Sequence, residues 1–248
     1  MLDWQALPTT DGNVPGPVLK VLSTDAESGG STILIHLPPG WHDEVLDWHP
    51  CSEEGLILAG TVTLADRRYT TGIYLYRPPG ILHGPAAVPD DAGATIIQRF
   101  SSELRILRYT GAEFPHQDLQ PITRQHEDWP VEWHEHLDPD DHPWQTADAG
   151  PWRGARFKWL ARDRREGAGG SLLLDLPAGW RQDPYEARGE IEEFVLDGVV
   201  DASGERLERW GYASRPRSST VGGFATEEGA RLICWWEMNE LDGERGDR

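Results

Sequence analysis

Short apolar stretches recur along the chain, separated by clusters of Gly, Pro, Asp and Ser. In the first half they are TILIHL, GLILAGTVTL, GIYLYR and ATIIQRF. Segments rich in Ile, Leu, Val and Tyr between turn residues are typical of antiparallel sandwiches and barrels. Helical periodicity is not sustained, even in TEEGARLI, which we predict to be a strand. The pattern therefore predicts an all-β protein.

The second half of the chain repeats the first. Residues 16–41 read GPVLKVLSTDAESGGSTILIHLPPGW, and residues 154–180 read GARFKWLARDRREGAGGSLLLDLPAGW. We align three further features: Glu53-Glu54 with Glu192-Glu193, Gly60 with Gly198, and Gly72 with Gly211. Because solenoid repeats run about 20 to 50 residues, so long a period indicates two tandem domains.

We place the two domains at residues 1–118 and 119–248. The segment His116–Trp144 is expected to join the copies and to supply the leading strand of the second. We interpret GAGG, at residues 167–170, as a hairpin turn, because a phosphate-binding loop would precede a helix and a strand is predicted here.

Charge and composition narrow the range of partners. Against 23 Lys and Arg stand 42 Asp and Glu, a formal charge of −19, which disfavours nucleic acid and anionic membranes. The apolar stretches are far shorter than the roughly 20 residues that cross a bilayer, and the N-terminus lacks a signal-peptide pattern. We therefore expect a cytoplasmic protein, in which its two cysteines are free thiols.

Candidate chemistry is concentrated in the first copy, in DWHPCSEEGLILAG at residues 47–60 and GIYLYRPPGILHGP at residues 72–85. Side chains alternate along a strand, so Asp47 and His49 point the same way and Glu53 can return to that face. His83 must come from another strand, re-aimed by the turn at residues 78–80. These four side chains are predicted to converge inside a small barrel.

These two segments resemble the motifs of the cupin superfamily. The second motif, Gly-x5-Pro-x-Gly-x2-His, is matched by Gly72, Pro78, Gly80 and His83. The first is matched from His49 through Glu53 to Gly60, with Asp47 where the family usually has its first histidine. The resemblance implies two tandem cupin barrels (double-stranded β-helices, or jelly rolls) and a metal site in the N-terminal barrel.

The predicted ligand set is Asp47, His49, Glu53 and His83, around one divalent ion. Two imidazoles with one or two carboxylates suit Fe(II), Zn(II), Mn(II) or Ni(II), and the two-histidine, one-carboxylate pattern favours Fe(II). Asp47 binds directly, binds through water, or supports another ligand from outside the coordination sphere. His42 is an alternative ligand, and we expect Cys51 to be structural.

The second copy is predicted to have lost the site. In our alignment, Glu186-Ala187-Arg188 occupies the place of residues 47–49, Thr220 or Val221 that of His83, and only Glu192 remains. An arginine at a ligand position would repel a cation. The His134-Glu135-His136 run has metal-ligand spacing, but it lacks a second cluster in register, so we interpret it as a solvated loop.

Among cupins, LPPGW, the Glu pair and PPGILHGP are similar to the group of acetylacetone dioxygenases and ChrR-type anti-sigma factors. That resemblance implies a divalent metal and a homodimer. The leading hypothesis is an Fe(II)-dependent oxygenase of a small carbonyl or phenolic compound. The alternatives are a non-catalytic small-molecule binding or sensing protein with a structural metal, and a metal-free sugar isomerase using Tyr74 or Tyr76 with His83.

Overall fold

The structure is a computed structural model that describes residues 3–6, 15–109, 129–182, 184–221 and 223–238. Strands dominate these residues, and the one helical element among them is the 3₁₀ turn Pro139–Asp141. No helix in the described part is long and apolar enough to span a membrane. The prediction of an all-β fold is confirmed.

The chain divides into two compact units. The first comprises Met1–Trp129 with Trp133–Asp138, and the second comprises Pro130–Glu132 with Pro139–Arg248. The predicted boundary between residues 118 and 119 lies outside the described residues.

The strands of the first unit are short, as the sequence pattern predicts. They are β1 (Gln5–Ala6), β2 (Val18–Thr24), β3 (Ser31–Leu37), β4 (His42–Asp43), β5 (Asp47–Trp48), β6 (Glu53–Ala59), β7 (Thr61–Leu64), β8 (Arg67–Thr70), β9 (Tyr74–Arg77), β10 (Ala86–Ala87), β11 (Ala94–Phe100), β12 (Leu107–Arg108) and β13 (His134–Leu137).

The first unit has a large and a small antiparallel sheet packed around one core. The large sheet has the order β1-β2-β3-β11-β6-β9-β13, the smaller one β4-β10-β7-β8, and β12 pairs with β5. Apolar side chains from both sheets, including Ile57 and Ile96 from one and Val62 and Tyr69 from the other, form the core. Burial of this face fixes the register, since a one-residue slip would turn every side chain over.

The second unit is built in the same way. Its strands are β14 (Gln145–Thr146), β15 (Arg156–Arg162), β16 (Ala168–Leu176), β17 (Tyr185–Glu186), β18 (Ile191–Gly198), β19 (Val200–Ala202), β20 (Glu205–Leu207), β21 (Tyr212–Arg215), β22 (Thr220–Val221), β23 (Phe224–Ala225) and β24 (Ala230–Met238). The large sheet β14-β15-β16-β24-β18-β21 matches the order of the first unit, with β17-β22 and β20-β19-β23 beside it.

The segment between the copies differs from its prediction. The regular strand within it, His134–Leu137, pairs with β9 and so extends the sheet of the first unit. The leading strand of the second unit is Gln145–Thr146, just beyond the predicted segment. Among the described residues of His116–Trp144, Val131 forms an isolated antiparallel bridge to Asp163 of the second unit. The part before Trp129 lies outside the described residues, so a leading strand there stays a prediction.

Glycines test the alignment of the two copies. Gly60 and Gly198 are equivalent: both have φ of +80°, and an added Cβ would lie 2.0 Å from Gly93 O and 2.3 Å from Gly229 O. The predicted match of Gly72 with Gly211 is wrong by one residue. Trp210, with φ of +69°, takes the place of Gly72 in the backbone hydrogen bonding.

The GAGG segment is only partly a turn. Residues 168–170 already belong to β16, where added Cβ atoms at Gly169 and Gly170 would lie 1.8 Å from Trp236 O and 2.1 Å from Ala161 O. These two glycines therefore permit close strand approach, and the reversal itself comes earlier.

Candidate metal centre

The structure brings the four predicted residues of the first unit together. Asp47 begins β5, and its backbone exchanges two hydrogen bonds with His83, at 3.0 and 2.9 Å. His49 follows the same strand, and its carbonyl accepts a 2.7 Å hydrogen bond from the N–H of Gly80. Gly80 has φ of +84°, which its lack of a Cβ permits. The turn thus brings His83 beside Asp47 and His49.

Their polar atoms point to a common centre. His83 Nε2 lies 2.9 Å from Asp47 Oδ1, and the rings of His49 and His83 are 4.9 Å apart. Glu53 Oε2 lies 3.8 Å from His49 Nε2 and 3.7 Å from His83 Nε2. Asp47, His49 and His83 each offer one ligand atom within 4.8 Å of the others. A divalent cation suits such a cluster of nitrogen and oxygen donors.

The outer nitrogen of each imidazole contacts a backbone carbonyl. His49 Nδ1 lies 3.2 Å from Arg105 O, and His83 Nδ1 lies 2.9 Å from Ile81 O. Because a carbonyl only accepts, each Nδ1 donates its proton to that carbonyl, and each Nε2 faces the cluster. Metal-binding histidines are oriented by this kind of contact. The orientation of the two rings therefore fits a metal ion at the centre.

Glu53 is held from two sides. Its Oε2 accepts from Arg77 Nη1 at 3.2 Å and its Oε1 from Gln98 Nε2 at 2.7 Å. Burial alone would raise the pKa of Glu53, but the Arg77 guanidinium and the two nearby imidazoles lower it to about 2. The carboxylate is thus ionised and fixed in orientation.

Burial lowers the pKa of His49 below its ordinary value, although the nearby negative charge of Glu53 acts in the opposite direction. A lowered pKa favours the neutral imidazole, which is the form that binds a metal.

Arg77 connects the centre to the strand of the joining segment. Its Nε and Nη2 donate to Glu135 Oε1 at 3.2 and 2.9 Å, and Tyr69 OH donates to Glu135 O at 2.7 Å. The prediction of a solvated loop at residues 134–136 is therefore wrong, because Glu135 lies in β13 and completes a buried Arg77 network.

The sequence analysis missed Arg77, Gln98 and Glu135. Arg77 could have been inferred from the pairing of β6 with β9, because it lies directly opposite Glu53. No spacing rule pointed to Glu135, since its contact depends on β13 joining a sheet far from it in sequence.

Two other candidates lie outside the cluster. His42 is exposed, and its Nδ1 contacts Gly40 O. Cys51 is buried beside Ile33 and Phe100, and burial raises the pKa of its thiol to about 11. A thiol with so high a pKa is a poor metal ligand, in line with the expected structural role.

The equivalent centre of the second unit carries different side chains. Glu53 pairs with Arg77 in the first unit, and Ile191 pairs with Arg215 in the second. The N–H of Ser218 donates to Ala187 O as that of Gly80 does to His49 O. By this register the four predicted ligands correspond to Tyr185, Ala187, Ile191 and Val221.

The predicted alignment of the second copy was therefore one residue out. Ala187, and not Arg188, takes the position of His49, and Glu192 corresponds to Glu54 instead of Glu53. The repulsion expected from Arg188 is not the reason that this copy differs. The reason is that the aligned positions carry no imidazole and no carboxylate.

Comparison with solved structures supports a cupin-type fold. A candidate dioxygenase from Nostoc punctiforme has a TM-score of 0.75 at 21% identity, over 94% of this chain and 76% of that one. AerE from Microcystis aeruginosa has a TM-score of 0.59 at 13% identity, over 96% and 98% of the two chains. Bacillus subtilis oxalate decarboxylase OxdC has a TM-score of 0.58 at 12% identity, over 96% and 76%. These likenesses concern the fold.

The chain thus has a cupin-type fold with a candidate metal site in its first unit. Within that class, residues 2–234 match the family described as Domain of unknown function (DUF4437), and the chain belongs to that family. Among curated proteins, none matches the chain by sequence.

Proposed function

We propose that this chain is a metal-dependent cupin oxygenase that acts on a small carbonyl or phenolic compound. The proposed ligands are His49 and His83 through Nε2, with Asp47 and Glu53 as the carboxylates. The observation that carries the proposal is the convergence of these side chains around one point, with Asp47, His49 and His83 offering ligand atoms within 4.8 Å of one another.

A divalent ion held there, with Fe(II) favoured over Mn(II), Ni(II) and Zn(II), would act as a Lewis acid toward a substrate oxygen. The protein's own groups then have separate tasks. The backbone carbonyls of Arg105 and Ile81 hold the two imidazoles in the binding tautomer. Arg77 keeps the Glu53 carboxylate ionised, and Arg77 and Gln98 together hold it in place.

Asp47 differs from Glu53 in its surroundings. Its side chain is 21% exposed, against 6% for Glu53. A carboxylate at the open side of the cluster is placed to accept a proton from an acidic C–H or hydroxyl group of an incoming substrate. Asp47 is therefore proposed to face the substrate, whereas Glu53 faces the protein.

The fold neighbours support metal-dependent chemistry without defining the reaction. The Nostoc protein is described as a candidate dioxygenase, and the Bacillus oxalate decarboxylase holds Mn(II) centres. The assignment to the acetylacetone dioxygenase group belongs to this proposal and rests on the sequence resemblance.

Metal analysis of protein purified without chelators is the first test. About one divalent ion per folded chain is expected. A folded chain that holds no ion, and takes up none of Fe(II), Mn(II), Ni(II) or Zn(II) on titration, would overturn the proposal.

Oxygen uptake tests the reaction. The Fe(II)-loaded protein is incubated under oxygen with diketones and hydroxylated aromatics, and uptake is expected with at least one of them. Ligand binding to the metal-loaded protein without oxygen uptake would instead identify a non-catalytic binding protein with a structural metal.

A further inference from the structure

The second unit contains buried polar side-chain atoms that have no hydrogen-bond partner within the described part of the chain. Buried polar groups are otherwise nearly always paired, because leaving one unpaired costs about 1–3 kcal/mol. They are Trp152 Nε1, Gln182 Oε1, Glu193 Oε1, Arg215 Nη2, Ser219 Oγ and Trp236 Nε1.

Several of these side chains face the same interior. Ile191 lies directly opposite Arg215 on one neighbouring strand and opposite Trp236 on the other, so the three side chains share a face of the sheet. Glu193 lies two residues along β18 on that face and is fully buried. Arg215 Nε donates to Glu193 Oε2 at 2.7 Å. Each partner of this ion pair therefore keeps one further polar atom for another group.

Aromatic rings border the ion pair. The Arg215 guanidinium lies 4.9 Å from the centre of the Phe224 ring. Phe224 in turn meets Trp152 edge to face at 6.0 Å, and the backbone N–H of Gln182 donates to Phe224 O. The Trp152 ring and the backbone of Gln182 thus contact Phe224, whose ring borders the pair.

Two small side chains lie among these groups. Ala187 takes the position that His49 has in the first unit, and Ala213, directly opposite Glu193, takes the position of Leu75. Both alanines belong to or pack against the same core cluster as Trp152, Phe224 and Trp236. Two positions in this part of the second unit thus carry methyl groups where the first unit has larger side chains.

The available atoms define a ligand chemistry. Of the unpartnered atoms placed on this face, Arg215 Nη2 and Trp236 Nε1 donate, and Glu193 Oε1 accepts. Adjacent hydroxyl groups can donate to the carboxylate while accepting from the guanidinium, and the apolar face of a ring can pack against the aromatic walls. We propose that the interior of the second unit binds an uncharged ring-shaped molecule with adjacent hydroxyl groups.

Other ligand classes fit less well. A metal ion would lack imidazole ligands, since Ala187 and Val221 take the positions of His49 and His83. An anion would meet the Glu193 carboxylate, which already neutralises Arg215. The proposal stands apart from the proposed oxygenase, because none of its residues belongs to the first unit.

Isothermal titration at pH 8 with catechol and with myo-inositol tests the proposal. The two probes share adjacent hydroxyls but differ in the ring, so they separate an aromatic diol from a sugar-like polyol. Binding of at least one with a Kd below about 1 mM is expected. The same binding is expected in His83→Ala, which disables the first unit's cluster and so separates failure of this proposal from failure of the oxygenase.

Two variants locate the binding. Glu193→Gln keeps the size of the side chain but replaces one carboxylate oxygen by a donor, and Ala213→Leu fills the position opposite it with the first unit's residue. Each is expected to weaken binding at least about tenfold. Glu192→Gln, one residue along and on the other face of β18, is the matched control and should bind normally.

Two results would overturn the proposal. One is the absence of heat with both probes in a folded protein, which would mean that the polar atoms bind water only. The other is binding that persists in Glu193→Gln and Ala213→Leu, or that disappears in His83→Ala, since either would place the probe elsewhere.

Discussion

Each unit contains an arginine at the end of a sheet strand that pairs with a buried glutamate, but the glutamate comes from a different position in each. Arg77 pairs with Glu53, the residue directly opposite it, whereas Arg215 pairs with Glu193, two residues further along the neighbouring strand. Arg77 also contacts Glu135, while Arg215 stacks on Phe224. The same backbone register therefore carries two different buried polar networks.

The difference shows how little of the barrel must change to alter its chemistry. In the first unit, Glu53 is shared between an arginine and two imidazoles, so its charge serves the proposed metal centre. In the second unit, Ile191 takes that place, and the buried carboxylate that pairs with the arginine comes from Glu193, two residues further along β18. The predictions below test this division, from the largest effect to the smallest.

Replacing His49 by the second unit's residue should abolish the proposed metal site. In His49→Ala the metal content is expected to fall from about one ion per chain to about zero, because one of two imidazole ligands is lost. Metal analysis of the purified variant measures this directly.

His42→Ala is the matched control, because His42 is an exposed histidine of the same unit that lies outside the cluster. Its metal content should equal that of the unmodified protein. If the His49 variant kept the metal content of the unmodified protein, or if the His42 variant lost its metal, the proposed ligand assignment would be wrong.

Removing the first arginine should strongly destabilise its unit. In Arg77→Met, the buried Glu53 loses the partner that lowers its pKa, and Glu135 loses its partner as well. Breaking a buried ion pair in this way costs about 3–5 kcal/mol. Urea unfolding, followed separately for each transition if the two units unfold independently, measures the loss in the free energy of unfolding.

Removing the second arginine should cost less. In Arg215→Met, Glu193 can accept a proton, because burial already raises its pKa to about 7 despite the arginine. A neutral carboxylic acid without a partner costs about 1–3 kcal/mol. The same urea experiment at pH 6 should therefore give a smaller loss than Arg77→Met; an equal or larger loss would contradict the comparison of the two networks.

The sequence predicted the parts of the site that depend on local spacing. Strand alternation placed Asp47 and His49 on one face, and the Pro-Gly turn placed His83 beside them. Glu135 was misread, because whether a short polar strand lies in solvent or joins a sheet depends on packing that spacing does not encode.

The alignment of the copies failed for a related reason. A pair of glutamates in each half suggested equivalence, but only cross-strand pairing reveals that Glu53 corresponds to Ile191. An alignment by sequence places identical residues opposite each other. A shift of one residue in such an alignment assigns every side chain of a strand to the opposite face of the sheet. Because of that shift, the sequence alignment did not reveal the buried Glu193–Arg215 pair.

A pH dependence also belongs to the second unit, and its effect per pH unit is the smallest that we predict. Burial raises the pKa of Glu193 from 4.5 to about 7, with Arg215 opposing the shift; across the sheet, Ala213 and Cys234 face it. Because the folded state then holds a proton that the unfolded state releases, stability falls as the pH rises from 4.5 towards 7. The slope is at most about 1.4 kcal/mol per pH unit.

In Glu193→Gln this contribution disappears, so urea midpoints measured from pH 5 to pH 7 should decline less than in the unmodified protein. Glu192→Gln should retain the decline, since its side chain lies on the other face of β18. Identical slopes for the unmodified protein and Glu193→Gln would mean that this carboxyl is ionised throughout the range, and that the two arginines hold equally charged partners.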